Sequence, residues 1–396
     1  MNVNFEFLDE EPIENIITCL NYRFDKVVFF GYMENINKSK ASLTNFLQNV
    51  CDVKEVEFWP LSEKKLDKTL ATMEKFIDIE EAQGNKIFFD ITGGEDVILV
   101  AFGMLCERNN YPLHLYKVED NQMIDMSEFC EYSIESEVPT QSIKLSVRDL
   151  ISLRGGIVNN ALSKSEKADS SEEYIRDVES VWNISRNYEK TWTTYSCILG
   201  KAFNQKSLVI NTDIDTVNAD LAGTTFRYPS VEELNGFLDK LADAGLLVQY
   251  NRNGKNYSFR YKSDKIKQLL TMSGDVLEIH TGAVLSSSVD DYIVGANLDW
   301  DGVIHRSEEA KVDVYNEIDV LTIKDNYLTF ISCKDGQLEG TETDEELYKL
   351  DTVAKKFGGK YYRTILIAPL GIPKSKEKRA KELGVEIYKD IKEGES

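Results

Sequence analysis

A set of side chains toward the C-terminal end has the types and spacing needed to cut a phosphodiester. Asn316-Glu317-Ile318-Asp319-Val320 alternates as a strand does, and a period of two puts Glu317 and Asp319 on one face. Acidic side chains inside an apolar strand are costly unless they are exposed or bind something. The turn Lys324-Asp325-Asn326 sends the chain back along Tyr327–Lys334, where Ser332 and Lys334 share a face that a hairpin can set against Asp319. Upstream, on a helix predicted over Asp275–Leu285, Leu277 packs inward and Glu278 flanks the packed stripe. Metal-assisted phosphodiester hydrolysis needs acids to hold a hard cation and a group that positions the attacking water. Glu317 and Asp319, on one strand face, suit the first task. With Lys334 the same residues could form a cross-strand ion pair on a solvated face, at about 0.2–1 kcal/mol. Charged positions at fixed spacing inside one topology favour the site.

A second group lies near the N-terminal end. Lys26–Gly31 is a short apolar run, as a strand buried on both faces would be, and leads into Gly31-Tyr32-Met33-Glu34. Lys86–Asp90 is another such strand, running through Ile91-Thr92-Gly93-Gly94-Glu95-Asp96 into an apolar helix over Val97–Cys106. A glycine turn between strand and helix lets an anion approach backbone amides at the edge of an open sheet. Two such loops side by side make a pocket of Gly31, Tyr32, Met33, Thr92, Gly93, Gly94 and Glu95. A βα turn that merely needs positive φ would look the same. Glu95 and Asp96 repel phosphate unless they turn away or bond sugar hydroxyls or a base edge.

The elements that must position these groups alternate regularly at both ends. Residues 1–135 read as strand and helix in turn, with helices over Ser39–Val50 and Leu66–Ile79, a strand over Val53–Trp59, and a hairpin of Leu113–Val118 with Gln122–Met126. From residue 140 to about 270 the chain is more polar and helical, with 163–171 as an exposed connection. Ser230 and Glu233 have capping-box spacing and open a helix that stops at Gly245. A hairpin with the tip Asn251-Arg252-Asn253-Gly254 follows, in the manner of a winged helix. Beyond it, Thr343 and Glu346 are expected to cap a helix striped by Leu347, Leu350, Val353 and Phe357, and the strand Tyr362–Ala368 comes next.

Composition bounds the partners. At 396 residues two or three domains are expected, and Lys+Arg 46 against Asp+Glu 68 gives 46 − 68 = −22. Bulk positive charge as a means of coating duplex DNA is excluded. Lys355, Lys356, Lys360, Arg363, Lys374, Lys376, Lys378, Arg379 and Lys381 concentrate positive charge after the proposed site, as a nucleic-acid track or as the solvated faces of helices. The 42% hydrophobic content excludes wholesale disorder, and no apolar stretch approaches the ~20 residues of a membrane span. A cytoplasmic location without membrane contact is expected. The cysteines are scattered without a CxxC pair, so they suit neither zinc nor a disulfide framework. With three histidines, a His cluster is disfavoured; His280 is expected to pack, His114 to line a strand, and His305 has no assignable role.

Asp90-Ile91-Thr92-Gly93-Gly94 entering an apolar helix resembles the CARF domain of CRISPR-associated proteins, with Asp96 where that family often carries Lys. The order helix, strands with Asp then Lys, helix, strand resembles the PD-(D/E)xK nuclease fold. Gly274-Asp-Val-Leu277-Glu278, Asn316–Val320 and Cys333-Lys334 are most similar to the nuclease domain of the Card family. The resemblance implies an α/β chain: a Rossmann-like CARF domain at 1–138, a helical, winged-helix-like linker at 139–270, and a restriction-endonuclease-like α/β domain at 271–396. It implies a homodimeric type III CRISPR effector that binds cyclic tetra-adenylate between paired CARF domains. Such an effector cuts single-stranded RNA or DNA, or nicks supercoiled DNA, with Mn²⁺ or Mg²⁺. Carried over, Glu278 and Asp319 hold the metal, and Lys334 orients water and stabilises charge on the phosphate. Ser332 stands where many relatives have the acid of (D/E)xK. Either Glu317 supplies that charge, or Ser332 binds through water, or the site is weakened; the face shared with Asp319 favours Glu317. The rival expectations are a cyclic-oligoadenylate-responsive transcription regulator with an inactive nuclease fold, and a ring nuclease that ends the signal.

Overall fold

The computed structural model describes residues 1–62, 65–159, 171–203, 206–222, 229–272, 274–300, 302 and 315–390. His305 and all of the connection 163–171 except Ser171 lie outside the described residues.

The N-terminal sheet is built from β1 (Asn2–Phe7), β2 (Lys26–Gly31), β3 (Glu55–Pro60), β4 (Lys86–Asp90), β5 (Leu113–Lys117) and β6 (Gln122–Asp125), in the order β3-β2-β1-β4-β5-β6. All pairings are parallel except β5 with β6, which form the expected hairpin. The helices are α1 (Ile17–Asn21), α2 (Met33–Asn49), α3 (Leu66–Ala82) and α4 (Asp96–Asn109). Leu43, Phe46 and Leu47 of α2 pack with Val27, Phe29 and Phe88 on one face, and Met73 and Phe102 pack with Phe5, Phe30 and Phe89 on the other. Apolar residues on both faces suit a doubly wound parallel sheet. The sequence pattern begins the sheet at Lys26, whereas the structure begins it at Asn2 and places that strand between β2 and β4. Val3, Phe5 and Phe7 alternate with Asn4 and Glu6, yet both polar residues are buried as well.

The middle segment holds α5 (Ile134–Glu137), α6 (Val147–Leu153), β7 (Ile157–Val158), α7 (Glu172–Asn187), α8 (Trp192–Ala202), β8 (Val209–Asp213), α9 (Ile214–Leu221), α10 (Val231–Asp243), β9 (Leu247–Asn253), β10 (Asn256–Tyr261) and α11 (Asp264–Thr271). The Ser230–Glu233 capping box opens α10, and the antiparallel sheet β8-β10-β9 forms the wing. Strand β7 pairs with the C-terminal sheet instead.

That C-terminal unit comprises α12 (Asp275–Leu285), β11 (Asp291–Asp299), β12 (Tyr315–Lys324), β13 (Tyr327–Cys333), α13 (Gly340–Gly358), β14 (Tyr362–Ile367), α14 (Lys374–Glu382) and β15 (Val385–Tyr388). The sheet order is β15-β14-β13-β12-β11-β7. Asp325 and Asn326 both take positive φ, 47° and 71°, which suits the tight two-residue turn joining β12 to β13. Helix α13 begins earlier than the sequence suggests, on a Glu339–Glu342 box, so Thr343 and Glu346 lie inside it and do not cap it. Among the described residues no helix is long and apolar enough to cross a membrane.

Candidate functional site

The β12–β13 hairpin pairs Val320 with Ile331 and Leu321 with Phe330, and the register carried onward sets Asp319 opposite Ser332 and Glu317 opposite Lys334. Asp319 is buried, and its Oδ2 accepts the Cys333 N–H at 2.6 Å and the Ser332 hydroxyl at 3.1 Å. Lys334 Nζ lies 3.4 Å from that same oxygen. Burial works against the Lys334 charge, but Asp319 and Glu346 outweigh it and hold its pKa above the ordinary lysine value. Lys334 is therefore a fixed cation across the neutral range.

Glu346, which the sequence had suggested as a capping residue, reaches into this group from the second turn of α13. Its Oε2 lies 3.1 Å from Ser332 Oγ and 3.3 Å from Lys334 Nζ. Glu317, Asp319, Ser332 and Glu346 line one cleft, together with Lys349. The signal for Glu346 was its i, i+4 spacing to Leu350 at the border of the buried stripe. Successive residues of a strand face opposite ways, and Cys333 faces α12, its Sγ 3.7 Å from the Thr281 hydroxyl. Glu278 is buried one turn before Thr281 on that helix and adds, after burial and Asp319, to the forces that raise the Cys333 thiol pKa. Glu278 thus approaches β13 from the side opposite α13. His280 stacks on Trp182 at 4.7 Å, and burial with Arg186 nearby pushes its pKa down to about 4, so it is neutral and packed.

Among the described residues no three Asp, Glu, His or Cys side chains cluster tightly enough to cage a metal ion. A magnesium-type site does not require a cage: one or two carboxylates, waters and substrate phosphates commonly complete it. Asp319 and Glu346 fit that description, because each engages one oxygen with Ser332 and Lys334, and among the described residues Asp319 Oδ1 and Glu346 Oε1 take no partner.

At the other end, Gly31, Tyr32 and Met33 follow β2, and Thr92, Gly93, Gly94 and Glu95 follow β4, on the same edge of the sheet with the loop after β1 between them. The Tyr32 hydroxyl donates to Glu95 Oε2 at 3.1 Å, joining the two loops, and Met33 is exposed. Burial and then Glu95 raise the Tyr32 pKa to about 12, so the phenol keeps its proton. Neither α2 nor α4 has a side-chain cap at its N-terminus, which leaves backbone N–H groups facing outward there. The turn itself is held from below: Asp90 Oδ1 accepts the Thr92 N–H at 2.7 Å and the Thr92 hydroxyl accepts the Tyr116 N–H at 2.8 Å. Gly94 has φ 143°, where a side chain would be strained, so its glycine answers to the turn as well as to any ligand. His114, as expected, lies on a strand, buried against Asp90.

The loop after β1, which the sequence reading passed over, connects the two ends. A Cβ on Gly93 would stand 3.1 Å from both Asp9 Cβ and Glu14 Cβ, so the glycine turn rests on that loop. Glu14 accepts from the Tyr361 hydroxyl at 2.7 Å and pairs with Lys360 at 3.0 Å, while Glu11 pairs with Arg154 and accepts the Lys360 N–H at 2.8 Å. Arg154 also donates to the Gly358 carbonyl at 3.2 Å, at the end of α13.

Six of the nine residues of the proposed basic track form ion pairs: Lys355 with Asp351, Lys360 with Glu14, Arg363 with Glu386, Lys376 with Asp344, and both Lys378 and Arg379 with Glu382. At the wing, Arg252 pairs with Asp239 and Lys255 with Asp215. These are mostly the solvated-face pairs of an acidic protein.

The chain thus joins an N-terminal doubly wound sheet, a winged-helix-like middle and a C-terminal six-stranded mixed sheet. Residues 265–395 match the model of the Card1-like endonuclease domain. Among solved structures the chain is similar to protein VC1899 from Vibrio cholerae, at 14% identity and TM-score 0.68, covering 98% of this chain and 93% of that one. It is similar to Can2 from Sulfobacillus thermosulfidooxidans in complex with cyclic tetra-adenylate, at 14% identity and TM-score 0.60, covering 98% and 94%. A type III CRISPR defence DNA nuclease activated by cyclic oligoadenylate aligns at 11% identity and TM-score 0.51, covering 93% of this chain and 45% of that one. No curated protein sequence matches the chain.

Proposed function

We propose that this protein is a type III CRISPR ancillary effector: a homodimeric, metal-dependent endonuclease activated by cyclic tetra-adenylate. The observation that carries the reading is the convergence of Asp319, Ser332, Lys334 and Glu346 within the segment that matches the Card1-like endonuclease model. Asp319, with a second carboxylate from the same cleft, would hold Mn²⁺ or Mg²⁺; Glu278 stands across β13 from that cleft, on the α12 side. When bound, such an ion neutralises the scissile phosphate and supplies a water of lowered pKa. Lys334, fixed as a cation, orients the attacking water and stabilises the charge that develops on the phosphate. Lys349, at the cleft wall, offers a further positive charge to the substrate backbone.

Ligand binding is assigned to the edge formed by Gly31, Tyr32, Met33, Thr92, Gly93, Gly94 and Glu95, where outward amides at two helix starts suit phosphates. The paired copy is supported by α4, whose Val97, Val100, Gly103 and Met104 lie on one side of the helix. Val100 is exposed, and a Cβ on Gly103 would meet open space. Activation would run from Gly93 through Glu14 to Lys360 and Tyr361, and so to α13, which carries Glu346 at its other end. The regulator alternative finds no cationic face on α10, where Glu232, Glu233, Asp239 and Asp243 face Lys240 alone. Ring cleavage would have to proceed without the lysine whose place Asp96 takes.

The test is cleavage of labelled single-stranded RNA, single-stranded DNA and supercoiled plasmid with Mn²⁺ or Mg²⁺, with and without cyclic tetra-adenylate, for the native chain and Asp319→Ala. Ligand-dependent cutting that the substitution abolishes is expected. Cutting of nothing while ligand still binds would overturn the nuclease reading.

A further inference from the structure

Ser332 occupies the motif position where an acid is called for, and a hydroxyl is a poor ligand for a hard cation. It stands 3.1 Å from two carboxylate oxygens at once, Asp319 Oδ2 and Glu346 Oε2. A hydroxyl has one proton, so it satisfies one of these contacts as a donor and not both. The compensation comes from Lys334, whose Nζ is 3.4 Å and 3.3 Å from the same two oxygens. Two acids are thus gathered around one cation and one hydroxyl, each with its other oxygen open among the described residues. Both line the cleft, and the Glu346 side chain is 22% exposed.

Direction decides which acid can replace the missing one. On β13, Ser332 and Lys334 face α13 and Cys333 faces α12, so a carboxylate standing in for an acid at position 332 must arrive from α13. Glu346 does so. Glu317, favoured by the sequence alone, lies across the hairpin from Lys334 and not from Ser332. A glutamate at position 332 would extend its carboxylate into the space that the Glu346 carboxylate fills. The two positions are therefore alternative sources of one charge.

We propose that Glu346 is the second metal-holding carboxylate of the site, supplied by helix α13 in place of the strand acid, with Ser332 small so that it can reach. This rests on the metal-dependent nuclease reading.

The experiment measures Mn²⁺ affinity by calorimetry or by the spin-resonance signal of free Mn²⁺, alongside single-turnover cleavage, for the native chain, Glu346→Gln, Glu346→Ala, Ser332→Glu, and Ser332→Glu with Glu346→Ala combined. Glu345→Gln, exposed next door on α13, is the control. Both Glu346 substitutions should weaken Mn²⁺ binding by at least about tenfold, since even residues behind the ligands typically cost that much, and should slow cleavage by about a hundredfold. Ser332→Glu alone crowds a third carboxylate into the group and should also impair cleavage. The combined variant should outperform either single one and recover at least about tenfold in affinity. Glu345→Gln should match the native chain. A Glu346 that merely pairs with Lys334 would lower the melting temperature on substitution, leave Mn²⁺ affinity in place and gain nothing from Ser332→Glu; that pattern overturns the proposal. A native chain that binds Mn²⁺ through Glu346 yet cuts nothing would defeat the nuclease reading and leave the assignment of Glu346 standing.

Discussion

Asp90 and Asp319 are both buried carboxylates on sheets of the same size, and the structure uses them in opposite ways. Asp90 has both oxygens engaged: Oδ1 with the Thr92 N–H, Oδ2 with the Thr18 hydroxyl and with His114 Nε2 at 3.4 Å. Burial would raise its pKa, but His114 and these hydrogen bonds outweigh burial and hold it below the ordinary aspartate value. Every partner is internal, so Asp90 is a strut beneath the glycine turn. Asp319 directs its donors to Oδ2, leaves Oδ1 open to the cleft, and has a lysine shared with a second acid. Burial does not separate a structural acid from a chemical one. Acceptor capacity left over and facing a cleft does.

The largest expected effect breaks the comparison if it fails. Asp319→Asn should lower metal-dependent cleavage by roughly a thousandfold, near the upper range for removing one electrostatic group from a transition-state site. Asp90→Asn should cost about 1.5–3 kcal/mol of stability through its charged hydrogen bonds and weaken the ligand response, while cleavage by folded, ligand-free protein stays as it was. Thermal melts beside initial rates measure both. Equal loss of basal cleavage in the two variants would show that Asp90 is no mere strut.

A smaller effect sharpens the link between the regions. Lys360 is held above the ordinary lysine pKa because Glu14, Asp9 and Glu11 outweigh the burial that opposes its charge. Replacing it, as Lys360→Ala, should leave cyclic tetra-adenylate affinity within about twofold and reduce ligand stimulation by about tenfold, within the 5–150-fold span of ordinary coupling energies. Calorimetry gives the affinity, and cleavage with and without ligand gives the stimulation. Unchanged stimulation would send the coupling elsewhere, through the dimer contact.

Much of this was legible in the sequence because the patterns were local. Lys26–Gly31, Lys86–Asp90 and Asp275–Leu285 form elements with the expected bounds, since each is an unbroken apolar or periodic run between clear stops. The hairpin that sets Asp319 against Ser332 follows from alternation and a two-residue turn. What escaped depended on distant partners. Strand β1 was hidden because Asn4 and Glu6 look solvated in sequence and are buried only once β2 and β4 flank them. Glu346 looked like a capping residue because the acidic Glu339–Glu342 box, lacking a Ser or Thr, gave no signal that the helix had already begun. The basic run looked like a track because the acids that neutralise it, Glu14, Asp344 and Glu386, come from other elements.

Glu6 gives the sharpest contrast with Asp319, since among the described residues no lysine pairs with it. It accepts from Asn4 Nδ2 at 2.6 Å, but burial, reinforced by Asp90, pushes its pKa well above the ordinary glutamate value. The folded state therefore keeps a proton that the unfolded chain releases near pH ~4.3. Above that pH, folding takes up a proton, and the contribution of Glu6 to stability falls as pH rises until the folded pKa is passed. Glutamine has no proton to lose and keeps the neutral shape. The advantage of Glu6→Gln over the native chain should thus be near zero at pH 4 and grow by up to about 1.4 kcal/mol per pH unit above it. Denaturant melts at pH 5, 6 and 7 give the slope. A difference that stays flat with pH would mean that Glu6 is ionised in the fold, and the contrast between the two ends would close.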